Sequence, residues 1–279
     1  LAAALLAAAC APGLRSPRAL KTECGATSDF RYCLHADASG KASDTVLYYL
    51  HGSGQSEKAW GKWPLADDLV SRFREKGLAA PTVITVSFGK LWLLRERRAA
   101  PDAGLFERFV DEVMPHVEAR TGQPRRRLVW GMSMGGFNAA QLLLKRPELW
   151  VAGVLSCPAV TVLSPFASPE ELRAYIGRTH AEPSKVNWML AQSRKAFPTQ
   201  QAWERHDPLR LAQSGASLPP MLIEGGDEDE WGVHEGSRRL SEALAEHGQK
   251  VRFETVPRGR HCVVDADRVL GFLLKAGSS

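Results

Sequence analysis

Six residues, Gly131-Met132-Ser133-Met134-Gly135-Gly136, restrict this chain more than any other segment. They follow the strand-like run RLVW (Arg127–Trp130) and precede FNAAQLLLKRP, which reads as an apolar helix. A strand that turns sharply into a helix must pass through a strained backbone conformation at the apex. Side chains two positions to either side would collide there, so glycine stands at 131 and 135. The turn lifts the Ser133 hydroxyl clear of the sheet and sets it at a helix N-terminus, where developing negative charge is favoured. G-x-S-x-G in this setting is a nucleophile elbow, and it demands an α/β chain.

The remaining segments agree. Short runs rich in valine, leucine and aromatics occur at Thr45–Leu50, Thr82–Phe88, Val151–Ser156, Met221–Glu224 and Val251–Val256. They read as strands buried on both faces. Leu105, Phe106, Phe109, Val110, Val113, Met114 and Val117 repeat at helical spacing, with Pro115 expected to kink or interrupt the helix. Leu240, Ala243, Leu244 and His247 repeat likewise, and Asp265–Lys275 predicts a closing helix. The alternation implies an α/β fold, with a mostly parallel sheet flanked by helices on both faces. Phe30–Ala36 is expected as an antiparallel edge strand. Residues 160–217 carry Ser-Pro pairs, helical stretches bearing Trp or Tyr, and no convincing strand. They predict a helical cap insertion over the carboxyl ends of the strands, where open α/β sheets bind ligands. Trp188, Met189, Phe197 and Trp203 are candidates either to wall a pocket or to glue the cap to the sheet. Trp60, Trp63 and Trp92 are open in the same way.

A serine hydroxyl is a poor nucleophile and needs a base. In this fold class the order along the chain is serine, acid, histidine. His261 lies in PRGRHC, a turn-rich loop after the last strand, from which an imidazole can swing back over the elbow. His180 and His206 fall in the cap, and His234 and His247 on or beside a helix. The acid is expected in GGDEDE after MLIE; Asp229 is preferred, Asp227 is the reserve, and Glu228 and Glu230 read as a solvated acidic turn. Acyl transfer also needs donors for an oxyanion. The Met134 amide should supply one, and Ser53 or Gly54 in His51-Gly52-Ser53-Gly54 the other, with His51 bracing that loop.

The chain of 279 residues is 44% hydrophobic and 24% charged, which excludes general disorder. Its net charge of +5 comes without a basic stripe interleaved with aromatics, so nucleic acid is not an expected partner. The opening LAAALLAAAC is too short to span a bilayer and reads as a signal-peptide remnant. Ala8 and Ala9 before Cys10 resemble a bacterial lipobox, which would make Cys10 a lipidation site and the only membrane attachment. Residues 1–22 are thus expected to be signal remnant and tether, and 23–279 one domain. Four further cysteines remain: Cys24, Cys33, Cys157 and Cys262. Cys24 and Cys33 flank a short segment that a disulfide would close; the alternative for all four is buried free thiols.

LHGSGQSEKAW, FERFVDEVMPHVE, GMSMGGFNAAQLLLKRPELW, EGGDEDE and GRHC together resemble the esterase branch of the α/β-hydrolases. That branch includes esterase D, S-formylglutathione hydrolase, feruloyl esterases and polyhydroxybutyrate depolymerase-like lipoproteins. The resemblance covers roughly residues 30–275. It implies an eight-stranded sheet and a triad that maps onto Ser133, Asp229 and His261. In some feruloyl esterases and tannases a disulfide joins the residue before the serine to the one after the histidine. Here Cys262 follows His261 but Met132 precedes Ser133, a departure from that tannase-like pattern; Cys157, at the end of the next strand, is a candidate for the other half, and free thiols stay the alternative. The expected protein is an exported or lipid-anchored serine hydrolase of small or oligomeric carboxylic esters, acting through an acyl-enzyme without metal or other cofactor. A serine peptidase on the same fold and an inactive surface binding module are the alternatives.

Overall fold

A computed structural model of the chain describes residues 19–27, 30–89, 104–214 and 217–278. Cys10 and Trp92, singled out from the sequence, lie outside the described residues. Eight strands form one sheet: β1 Leu20–Ala26, β2 Arg31–Asp37, β3 Thr45–Leu50, β4 Thr82–Ser87, β5 Arg126–Met132, β6 Ala152–Ser156, β7 Met221–Gly226 and β8 Val251–Val256. Their spatial order is β1-β2-β4-β3-β5-β6-β7-β8. β1, β2 and β4 pair antiparallel, and every pairing from β4–β3 to β7–β8 is parallel.

The helices are α1 Leu65–Glu75, α2 Leu105–Arg108, α3 Met114–Glu118, α4 Met134–Lys145, α5 Pro169–Thr179, α6 Pro183–Ala196, α7 Gln200–Glu204, α8 Pro208–Leu211, α9 Val233–Glu246 and α10 Ala266–Ser278. Two apolar layers cover the sheet. Val46, Tyr48 and Leu50 of β3 join Phe109, Phe137, Leu240 and Leu244 on one face. Leu47 and Tyr49 join Leu69, Phe73, Leu270 and Leu273 on the other. Successive β3 residues therefore point into opposite cores, which is why a strand buried on both faces shows no polar alternation. Trp60 and Trp63 pack among Tyr49 and Trp130 in the second layer, so they are packing residues.

One expectation is corrected. The segment Phe30–Ala36 corresponds to β2, which is antiparallel but not at the edge, because β1 pairs along its outer side with Cys24 opposite Cys33. β1 also takes up the last residues assigned to the tether. Its sequence LKTECGA is mostly exposed, so no apolar alternation marks it; a polar strand of this kind suits a sheet edge, where it discourages further pairing. As expected, the α-helical run around Pro115 is interrupted, dividing into α2 and α3. The turn before it widens to a π-helical stretch, Phe109–Val113, in which the Met114 N–H reaches the Phe109 carbonyl. Such a bulge accommodates a residue that cannot donate.

Helices α5 to α8 form the cap between β6 and β7. A capping box, Ser168 with Glu171, starts α5. Leu163, Tyr175, Ala181, Val186 and Leu190 make a small core of its own. Phe197 and Trp203 pack against Phe137 of α4, with ring centroids 6.1 and 5.5 Å away, so this pair anchors the cap to the sheet. Among the described residues no helix is long and apolar enough to cross a membrane.

Candidate active site

Ser133 sits between β5 and α4 at φ 54 and ψ −115. A non-glycine residue in that region is strained, and surrounding bonds hold it there. Its N–H donates to the Ser156 carbonyl at 3.0 Å, and its carbonyl accepts from the amides of Phe137 and Ala159. The flanking glycines are steric necessities. A Cβ at Gly131 would lie 2.1 Å from the Gly135 carbonyl oxygen, and one at Gly135 would lie 1.9 Å from that of Leu50.

The structure brings the three sequence-predicted side chains together. Ser133 Oγ is 2.9 Å from His261 Nε2, and His261 Nδ1 is 2.7 Å from Asp229 Oδ2. Asp229 is buried, whereas Asp227 and Glu228 are exposed, so the carboxylate beside His261 is the preferred candidate and not its reserve. The other Asp229 oxygen accepts the Trp231 N–H at 2.8 Å. Both disulfides are present, Cys24–Cys33 and Cys157–Cys262. The second ties the residue after His261 to the end of β6. Cys157, His261 and Cys262 offer three atoms within 4.8 Å of one another, a metal-like cluster. The sulfurs bond each other, so neither offers the thiolate a metal requires.

His180 and His247 cap the C-terminal ends of α5 and α9, His206 bonds Gln141, and His234 bonds Thr255, so none competes with His261. His51 braces its loop: Nδ1 is 2.8 Å from the Gly52 carbonyl and Nε2 is 3.0 Å from Ser87 Oγ. Burial lowers its pKa against the opposing pull of Gly52 and Glu57. In that loop Gln55 accepts the Gly52 N–H through its side chain. Ser53 and Gly54, at the tip, are exposed and line the same cavity as Ser133. The Met134 amide lies in the first turn of α4, where no intrahelical acceptor exists.

A cavity of about 720 Å³ opens over Ser133 and His261. Met134 and Ala159 line it from the sheet side, and Trp188, Met189 and Ala196 of α6 from the cap. Trp231 closes a third side, its ring 5.4 Å from that of His261 and 5.7 Å from that of Trp188. Of the four cap candidates, Trp188 and Met189 wall the pocket while Phe197 and Trp203 are anchors. Trp231 and Glu230 do not stand out as functional in the sequence. The signal available is adjacency to the acid, since residues flanking a loop carboxylate share its surroundings.

Comparison with known proteins adds the family and the fold. A sequence profile described as the prolyl oligopeptidase family matches residues 103–273, a span holding all three of Ser133, Asp229 and His261. Among solved structures the chain is similar to an S-formylglutathione hydrolase from Agrobacterium tumefaciens, at 16% identity and TM-score 0.63 over 92% of this chain and 93% of that one. It is similar to esterase B from Lactobacillus rhamnosis, at 16% identity and TM-score 0.68 over 95% and 87%. It is also similar to brefeldin A esterase, described as a bacterial homologue of human hormone sensitive lipase, at 17% identity and TM-score 0.67 over 99% and 81%. The likeness is one of fold, the α/β-hydrolase fold.

Proposed function

We propose that this chain, which belongs to the prolyl oligopeptidase family, is a serine hydrolase that cleaves carboxylic esters through an acyl-enzyme. The observation that carries the reading is the unbroken hydrogen-bond line from Ser133 through His261 to Asp229 at the floor of the cavity. In this mechanism Ser133 Oγ attacks the ester carbonyl while His261 Nε2 takes its proton. Asp229 fixes the tautomer in which Nδ1 carries a proton and stabilises the imidazolium that forms. The Met134 amide and an amide of the Ser53–Gly54 tip hold the oxyanion. His261 then protonates the departing alcohol. Water, deprotonated by the same imidazole, releases the acid and restores Ser133.

The family description and the triad both admit a second reading, amide cleavage. The cavity supports esters better. Among the described residues, none that lines it is a carboxylate that would hold a peptide amine, and the cap offers helices rather than a free strand edge along which an extended peptide could pair. A mostly apolar chamber with Trp188 and Trp231 on one wall suits a compact acyl or aromatic group. The two disulfides support an oxidising, extracytoplasmic compartment. Paired kinetics test the reading: 4-nitrophenyl esters should be turned over, amino-acid 4-nitroanilides should not, and Ser133→Ala should abolish turnover. Faster anilide than ester cleavage would favour the peptidase. A folded wild type inert to both would favour a binding module.

A further inference from the structure

The residue after the acid has more partners than a surface turn needs. Glu230 looks from sequence like part of a solvated acidic loop, yet its carboxylate is only 18% exposed. Oε2 accepts the backbone N–H of His261 at 3.1 Å. Oε1 is 3.1 Å from Lys185 Nζ and 3.4 Å from Arg260 Nη2. The Glu230 carbonyl accepts the Glu182 N–H at 2.8 Å, and Lys185 also reaches the Glu182 carboxylate at 3.1 Å. Burial alone would push the Glu230 carboxyl up; the His261 amide, its own amide and Lys185 overcome that and hold it at about 2. It is therefore ionised at any ordinary working pH.

These interactions join two parts of the site. Lys185 lies in the first turn of α6, and Trp188 and Met189, one turn further on, wall the pocket. His261 is meanwhile held from both sides along the chain, by the Cys157–Cys262 bond on one flank and by the Glu230 carboxylate on its own amide. We propose that Glu230 is a positioning residue: its carboxylate fixes the main chain of His261 and locks it to the cap helix that forms the pocket wall. This rests on the reading of His261 as the base. Glu230 touches no reacting atom, and its effect is on where the imidazole stands. A misplacement of about 1 Å in such a group can cost ~100-fold in rate, so a single long-range acceptor on the His261 amide acts on kcat rather than KM.

Steady-state kinetics on 4-nitrophenyl butyrate test this with Glu230→Ala, Glu230→Gln and Lys185→Met, alongside fluorophosphonate labelling of the wild type. Glu230→Ala should lower kcat roughly 30-fold with KM within about threefold. Glu230→Gln keeps an oxygen for the His261 N–H and should recover kcat to within about fivefold of wild type. Lys185→Met leaves that acceptor but frees it from the cap, and should lower kcat about threefold. A folded Glu230→Ala with kcat within twofold of wild type would overturn the proposal, as would a folded Glu230→Gln as slow as the alanine variant. If Glu230→Ala does not fold, Glu230→Gln and Lys185→Met decide: a folded Glu230→Gln slowed roughly 30-fold or more, or a folded Lys185→Met at wild-type kcat, overturns it. A wild type that neither labels nor turns over ester refutes the serine-hydrolase reading itself, a distinct failure.

Discussion

The two halves of the site are held in place by different means. Ser133 is positioned locally: a six-residue turn, two glycines that tolerate no Cβ, and bonds to the neighbouring strand and helix. His261 is positioned at long range, by Asp229, by Glu230, by the disulfide to Cys157 and by the ring of Trp231. The difference teaches where each half should fail. Damage to the elbow should remove the nucleophile or the fold outright. Damage around His261 should leave a folded protein whose chemistry slows in proportion to how far the imidazole strays from Ser133.

The largest effect expected on the long-range half is Asp229→Asn, which permits the wrong imidazole tautomer and should lower kcat by about 10⁴, whereas Asp227→Asn should stay within about twofold because that side chain is exposed. Steady-state rates on one ester settle it, and equal losses in the two variants would break the assignment of the acid. On the local half, Gly135→Ala places a Cβ 1.9 Å from the Leu50 carbonyl; it should destabilise by about 4 kcal/mol or more, read as a lower urea midpoint or no soluble protein. A stable, fully active Gly135→Ala would show the elbow to be less constrained than its sterics require.

The disulfides sharpen the contrast. Cys157–Cys262 closes a separation of 105 residues and Cys24–Cys33 one of 9. In the chain-entropy model, replacing the long pair with serines should cost about 5 kcal/mol and the short pair about 3 kcal/mol. Only the long pair should also lower kcat, because only it ends beside His261. Thermal unfolding and rates on the two double-serine proteins compare them.

The smallest effect expected concerns Glu224, beneath the elbow. Burial, with nearby Asp265, raises its pKa to about 7 against the lowering contributions of Ser156 and Arg268. For a carboxyl raised from 4.5, the stabilising contribution is complete below about pH 4.5 and is lost as pH rises through about 7. Glu224→Gln imitates the neutral form, so it should add roughly 1–3 kcal/mol at pH 8 and almost nothing at pH 4.5, measured by urea unfolding.

What can be read from sequence divides along the same line. The elbow is legible because its sterics act within six residues, and the buried strands because both faces demand apolar side chains. His261 and Asp229 are legible from chain order and loop position. β1 is not, since an exposed edge strand needs no apolar alternation. The partition of the cap aromatics is not, because Trp188 and Trp203 differ in what surrounds them rather than in local pattern. Glu230 escapes notice because the three partners of its carboxylate come from residues 185, 260 and 261, distant in sequence from the loop that bears it.

The most direct test is to trap the nucleophile. After incubation with a fluorophosphonate, peptide mapping of the wild type should find a single adduct, on Ser133. The same treatment of folded His261→Ala should give labelling slower by at least about a thousandfold. An adduct on another side chain, or equal labelling without the imidazole, would contradict the account.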